Sequence, residues 1–157
     1  MKVIFLDFDG VITTSKSRYN LDISKVRLLG EIIEATDSKI VISSSWRHNT
    51  LEDTIDYLSK ISNRVPFIFP YLDKVIGITS RMYSFKLHQP STHFRIPRGL
   101  EIDQYLEEHP EIKRYIILDD DSDMLLSQKD FFVKTNSLKG LKKKDIKKAI
   151  KILNYYE

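Results

Sequence analysis

Three short, uninterrupted apolar runs leave this chain few architectures to choose from. Lys2 to Asp7, Lys39 to Ser44 and Arg114 to Leu118 carry no polar alternation, the mark of strands buried on both faces. Between them lie segments with helical spacing. One runs from about Asp22 to Ala35, with Val26, Leu29, Ile32 and Ile33 on one side, and another starts near Asn49, with Leu51, Ile55 and Leu58 as its stripe. Gly99 to Glu108 reads as a third helix, stopped by Pro110, and Asp130 to Thr135 as a short fourth strand. Val65 to Pro97 is less regular, with prolines, Gly77 and room for short strands. Strands alternating with helices predict a three-layer α/β fold, a Rossmann-like parallel sheet with helices on both faces. A length of 157 residues suits one domain, spanning 1–157, and no internal repeat stands out.

Composition narrows the function classes. The chain has no cysteine, which excludes a disulfide framework, thiolate zinc sites and thiol catalysis. The apolar residues before Asp7 are too few for a signal-peptide core, and Val65 to Leu72 is broken by Pro66 and Pro70. A cytoplasmic protein without a membrane partner is therefore expected. The formal net charge of +3 is mild, but Lys139, Lys142, Lys143, Lys144, Lys147, Lys148 and Lys151 crowd the C-terminal stretch. Ile146, Ile150 and Leu153 recur between them, so the run reads first as a solvated helix face and second as a weak attractor of nucleic acid.

In open parallel sheets, ligands bind beyond the carboxyl ends of the strands, where strand order reverses. Three groups sit at such ends. Asp7 and Asp9 leave the first run two residues apart, and Gly10 permits a sharp turn. Two desolvated like charges need a compensating cation, for which magnesium, with its oxygen ligands, is the natural choice. Asp119, Asp120, Asp121 and Asp123 follow the Arg114 run and form a strong negative focus, facing the same cation if that strand lies beside the first. A calcium loop is the rival, with Asp119, Asp121, Asp123 and Asp130 at suitable offsets. Met124, however, stands where the glycine belongs, and a strand precedes the loop instead of a helix. Asp121 or Ser122 also suits a helix cap. Ser43, Ser44 and Ser45 end the second run, where hydroxyls and helix-start amides can hold a phosphate oxygen; Ser45 also suits an N-cap.

With these groups in this order, the chain resembles the haloacid-dehalogenase-like (HAD) phosphohydrolase superfamily. The resemblance rests on Asp7 to Ile12, Ile40 to Ser44, Arg98 to Ile102 and Ile116 to Asp120. Ser44-Ser45-Trp46-Arg47, Arg98-Gly99-Leu100-Glu101-Ile102 and Leu118-Asp119-Asp120-Asp121 look closer still to the small HAD domains of multi-domain RNA-repair proteins. The resemblance implies that Asp7 is a nucleophile forming an aspartyl-phosphate, and that Asp9 is the acid and then the base. It implies phosphate binding by Ser44, or by Ser43 in the alternative register, and a positive charge from Arg98, where the family usually has lysine. It implies Mg²⁺ held by Asp7, the backbone carbonyl of Asp9 and Asp120, with Asp119 orienting from behind and Asp123 in reserve. Uncatalysed phosphate-monoester hydrolysis needs accelerations of up to about 10²¹, so a carboxylate attacking a dianion requires just such a cation, guanidinium and hydroxyl.

The gaps from Val11 to Ser38 and from Trp46 to Pro97 predict a minimal cap or none, and an open site. In the family, open sites take bulky phosphoesters, so the implied partner is a phosphorylated small molecule or a nucleic-acid end. Segment 81–98 interleaves Arg81, Tyr83, Phe85, Lys86, His88, His93, Phe94, Arg95 and Arg98. It reads as a hairpin with one wet face, or as a surface for single strands. His88 and His93 lack a third zinc ligand. Trp46 reads as core or pocket wall, with a stacking platform as the alternative. A phosphoacceptor receiver module and a non-catalytic nucleic-acid-binding domain are the competing functions.

Overall fold

The computed structural model describes residues 1–65, 68–81, 83–86 and 89–155, with 83–86 and 89–95 described by backbone alone. In chain order the elements are β1 (Lys2–Leu6), α1 (Ile23–Thr36), β2 (Lys39–Ile42), α2 (Leu51–Arg64), β3 (Val75–Ile78), β4 (Tyr83–Lys86), β5 (Gln89–Arg95), α3 (Arg98–Glu108), β6 (Arg114–Asp119), β7 (Phe132–Lys134) and α4 (Lys143–Leu153). Five strands form one sheet in the order β3-β2-β1-β6-β7, every neighbouring pair parallel. The predicted three-layer α/β architecture is the one observed. Each apolar run became a strand because alternate residues are buried in different layers. Ile4, Leu6, Ile40, Ile42, Ile116 and Leu118 pack with residues of α1, α2 and α4. Val3, Phe5, Val41 and Ile117 meet Ile102 and Tyr105 of α3 on the other face.

The helices start where side chains supply caps. Asp22 caps α1 by accepting from the Ser24 amide at 2.9 Å, and the Thr50 hydroxyl caps α2 by accepting from the Asp53 amide at 3.0 Å. The C-terminal lysines follow the solvated-face reading. Ile146, Ala149 and Leu153 are buried on α4 while Lys143, Lys144, Lys147, Lys148 and Lys151 are exposed. Lys143 pairs with Glu31 at 2.6 Å.

The region read as irregular, with room for short strands, contains β3, a full member of the sheet, and β4 and β5 pair antiparallel as a separate two-stranded unit, in line with the hairpin read for segment 81–98. Gly77 marks a close approach: a Cβ there would lie 2.0 Å from the Tyr105 hydroxyl of α3. The short fourth strand is β7, preceded by a 3-10 turn over Leu126–Phe131. Among the described residues, no helix is long and apolar enough to cross a membrane.

Candidate active site

Strand β1 is central, and the chain leaves it first toward β2 and β3, then returns past it to β6 and β7. The reversal falls between β1 and β6, and pairing register fixes what meets there. Leu6 pairs with Leu118 on one side and Ile42 on the other. The Asp7 amide therefore donates to the Leu118 carbonyl at 2.9 Å, and the Ser43 amide to the Leu6 carbonyl at 3.0 Å. The turn after β1 is fastened as well. Gly10 takes φ +66°, and its carbonyl accepts from the Thr135 hydroxyl at 2.6 Å.

Oxygen atoms of Asp7, Asp119 and Asp120 all lie within 4.8 Å of one another. Asp7 and Asp119 are buried and Asp120 is half-buried. The guanidinium of Arg98, 5% exposed, enters from the first residue of α3, with Nη1 3.3 Å from Asp7 Oδ1 and Nε 3.6 Å from Asp119 Oδ2. One guanidinium faces two of the three carboxylates. Burial raises the pKa of Asp7, against the opposing pull of Arg98 and of the Ser44 hydroxyl. Burial, then the charge of Asp7, push Asp119 up to about 7 despite Arg98. Asp120 is raised by burial and by Asp7.

Asp9 stands apart from this cluster. Both its carboxylate oxygens accept from Trp46 Nε1 at 3.1 Å, and Oδ1 also accepts from the Thr13 hydroxyl at 3.3 Å. These donors were not foreseen from the sequence, where Trp46 was core or pocket wall; its place directly after the serine run was the only signal. Asp123, the reserve ligand, is used otherwise. Its Oδ2 accepts from the Arg98 amide at 2.9 Å and so caps α3, whose preceding residue is Pro97 with no capping side chain. Asp121 is exposed, and neither it nor Asp123 belongs to the carboxylate group. The Ser44 hydroxyl bonds Asp7 and accepts from the Trp46 amide at 3.2 Å, whereas Ser43 Oγ is buried without a partner. Arg47 extends away into a buried ion pair with Glu101 at 2.7 Å. Of segment 81–98, Arg98 belongs to the site and Arg81 is exposed. His88 and the side chains of Tyr83, Phe85, Lys86, His93, Phe94 and Arg95 lie outside the described residues.

The donor set fits magnesium. It is all oxygen, and the buried Asp7 Oδ1 and Asp119 Oδ2 have only the ion pairs to Arg98, at 3.3 and 3.6 Å, as partners. Asp120 Oδ2 reaches in over Gly10, lying 2.4 Å from where a Cβ of that residue would be.

Acidic side chains converge at the switch point of a parallel α/β sheet, the place where folds of this class bind their ligands. A family model described as "HAD domain in Swiss Army Knife RNA repair proteins" matches residues 3–146, and the chain belongs to this family. Comparison with curated proteins and with solved structures gives no match. The family is one of phosphohydrolase-type domains associated with RNA repair, and the membership sets aside the receiver module.

Proposed function

We propose that this domain is a magnesium-dependent phosphomonoesterase acting through an aspartyl-phosphate on Asp7, with nucleic-acid ends as its substrate class. The observation that carries the reading is the separation of two acidic functions. Asp7 sits with Asp119, Asp120 and Arg98, while Asp9, two residues on, is held outside that group by Trp46 and Thr13. A nucleophile needs cationic surroundings to approach a dianion, and a proton carrier needs freedom from them.

In this scheme an Asp7 carboxylate oxygen attacks phosphorus, and the bond from phosphorus to the leaving oxygen breaks. Asp9 gives its proton to that oxygen. Asp9 then takes a proton from water as the water attacks the aspartyl-phosphate, which releases phosphate and restores Asp7. Arg98 and Ser44 would hold the equatorial phosphate oxygens. Asp7, Asp120, Asp119 and the Asp9 carbonyl would hold Mg²⁺, which supplies positive charge against the repulsion between carboxylate and phosphate. The association of the family with RNA repair supports a polynucleotide end as the leaving group.

Purified protein should hydrolyse an aryl phosphate or a phosphorylated oligonucleotide end in the presence of Mg²⁺. Asp7→Asn should abolish turnover without lowering the unfolding temperature. Retained activity in that variant would remove Asp7 from the mechanism. Salt-dependent RNA binding with Mg²⁺ present and no turnover would replace the enzyme by a binding module.

A further inference from the structure

A groove of about 550 Å³ opens beside the phosphate-anchoring turn, lined by Ser45, Trp46, His48, Asn49, Tyr57 and Arg81 among others. We infer that it is a stacking site for the terminal nucleobase of a single-stranded nucleic-acid end, an inference that rests on the phosphomonoesterase reading for its orientation. A general acid must come within hydrogen-bond reach of the leaving-group oxygen. Trp46 Nε1 lies 3.1 Å from both oxygens of Asp9, so the leaving group must pass the edge of this indole.

The groove is built for rings. Trp46 and Tyr57 have centroids 6.3 Å apart at 68°, and His48 and Tyr57 lie 4.8 Å apart at 50°. Phe8 backs the indole at 5.2 Å, and the bond to Asp9 fixes its plane, so little freedom is left to lose on binding. Tyr57 is 37% exposed, so part of its ring is open to a ligand. The volume falls within the range of about 300–1,000 Å³ typical of small-molecule sites. The exposed Arg81 stands at the groove, where an adjoining phosphodiester would lie, although Asp53 also lines it. Because every base has a π-face, recognition here is tolerant of sequence, and a paired base could not enter.

A second groove, about 710 Å³, lies across the Trp46–Tyr57 ridge, with Leu21, Ile61 and Ile68 in its lining and Lys16 and Arg64 among its cations. The first is the better placed. Its lining begins at Ser45, the residue after Ser44.

Trp46 is the only tryptophan in the chain, so its fluorescence reports occupancy without turnover. A short single-stranded RNA should quench it with or without a 3′-phosphate, and the same RNA lacking its terminal base should bind far more weakly. Tyr57→Ala should weaken binding by about five- to 150-fold, the range of one base–aromatic stack. The ratio of kcat/KM for the phosphorylated RNA over that for glycerol phosphate, which has no ring, should fall by a similar factor. His48→Ala should weaken binding and Arg64→Ala should not; the reverse pattern overturns the placement. Equal binding of intact and abasic ends, or tighter binding of a phosphotyrosine peptide, overturns the ligand class. If no phosphomonoester is turned over, the enzymatic reading fails alone, and quenching by unphosphorylated RNA still decides the groove.

Discussion

Glu101→Gln tests how the site is held together, because it removes one charge and almost no volume. Arg47 is 2% exposed and Glu101 1%. The guanidinium donates from Nε to the Thr79 carbonyl at 2.8 Å and from Nη1 to the Ser44 carbonyl at 2.6 Å. Its Nη2 donates to the Ser80 carbonyl at 3.1 Å and to Glu101 Oε2 at 2.7 Å. One side chain thus joins the ends of β2 and β3 to α3, one turn beyond Arg98. Neutralising Glu101 leaves a buried guanidinium among carbonyls, which should cost about 3–5 kcal/mol. For a domain of this size that corresponds to roughly 6–20 °C in the unfolding temperature. Urea unfolding followed by Trp46 fluorescence measures the loss, and combining the change with Arg47→Met isolates the pair's coupling energy. The double variant should recover none of the loss, since three carbonyls lose their donor, at about 1–3 kcal/mol for each buried group left unpaired. A loss below about 1 kcal/mol in Glu101→Gln would refute the claim that this pair clamps the two halves of the site.

Two further outcomes follow from the carboxylate cluster. Gly10→Ala should weaken Mg²⁺ binding in calorimetry: its Cβ would meet Asp120 Oδ2 at 2.4 Å, and φ +66° adds about 1–2 kcal/mol of backbone strain. Unchanged affinity would take Asp120 out of the metal set. In metal-free protein, burial raises Asp7 and Asp120 and pushes Asp119 up to about 7, above the unfolded value of about 4. The stability that these groups contribute is complete below pH about 4 and is lost as pH rises through about 7. The unfolding temperature in EDTA should therefore fall across that window, with Mg²⁺ restoring more of it the higher the pH. A rise with pH in EDTA would contradict the assignment.

The buried strands were legible because nothing else explains unbroken apolar runs of that length, whereas β3 was not. Its four residues include Gly77, and no local pattern separates a glycine that breaks a strand from one that admits the Tyr105 hydroxyl. The carboxylates after β6 were legible as a group but not individually. Asp119, Asp120 and Asp123 are chemically alike, and only the path of the chain sends Asp123 to cap α3. The bond from Trp46 to Asp9 spans 37 positions, beyond any periodicity. The rest of the site follows from register. Leu6 opposite Leu118 makes Asp7 and Asp119 neighbours, and strand period two turns both side chains to the layer of Phe5 and Ile117. That layer is covered by α3, so the helix that closes the core over Phe5 also delivers Arg98 onto the two acids. A slip of one residue between β1 and β6 would turn one acid to the opposite face and leave Arg98 with a single partner. The packing of the α3 core layer and the pairing of Asp7 and Asp119 with Arg98 are therefore one constraint, to which the turn after β6 adds Asp120.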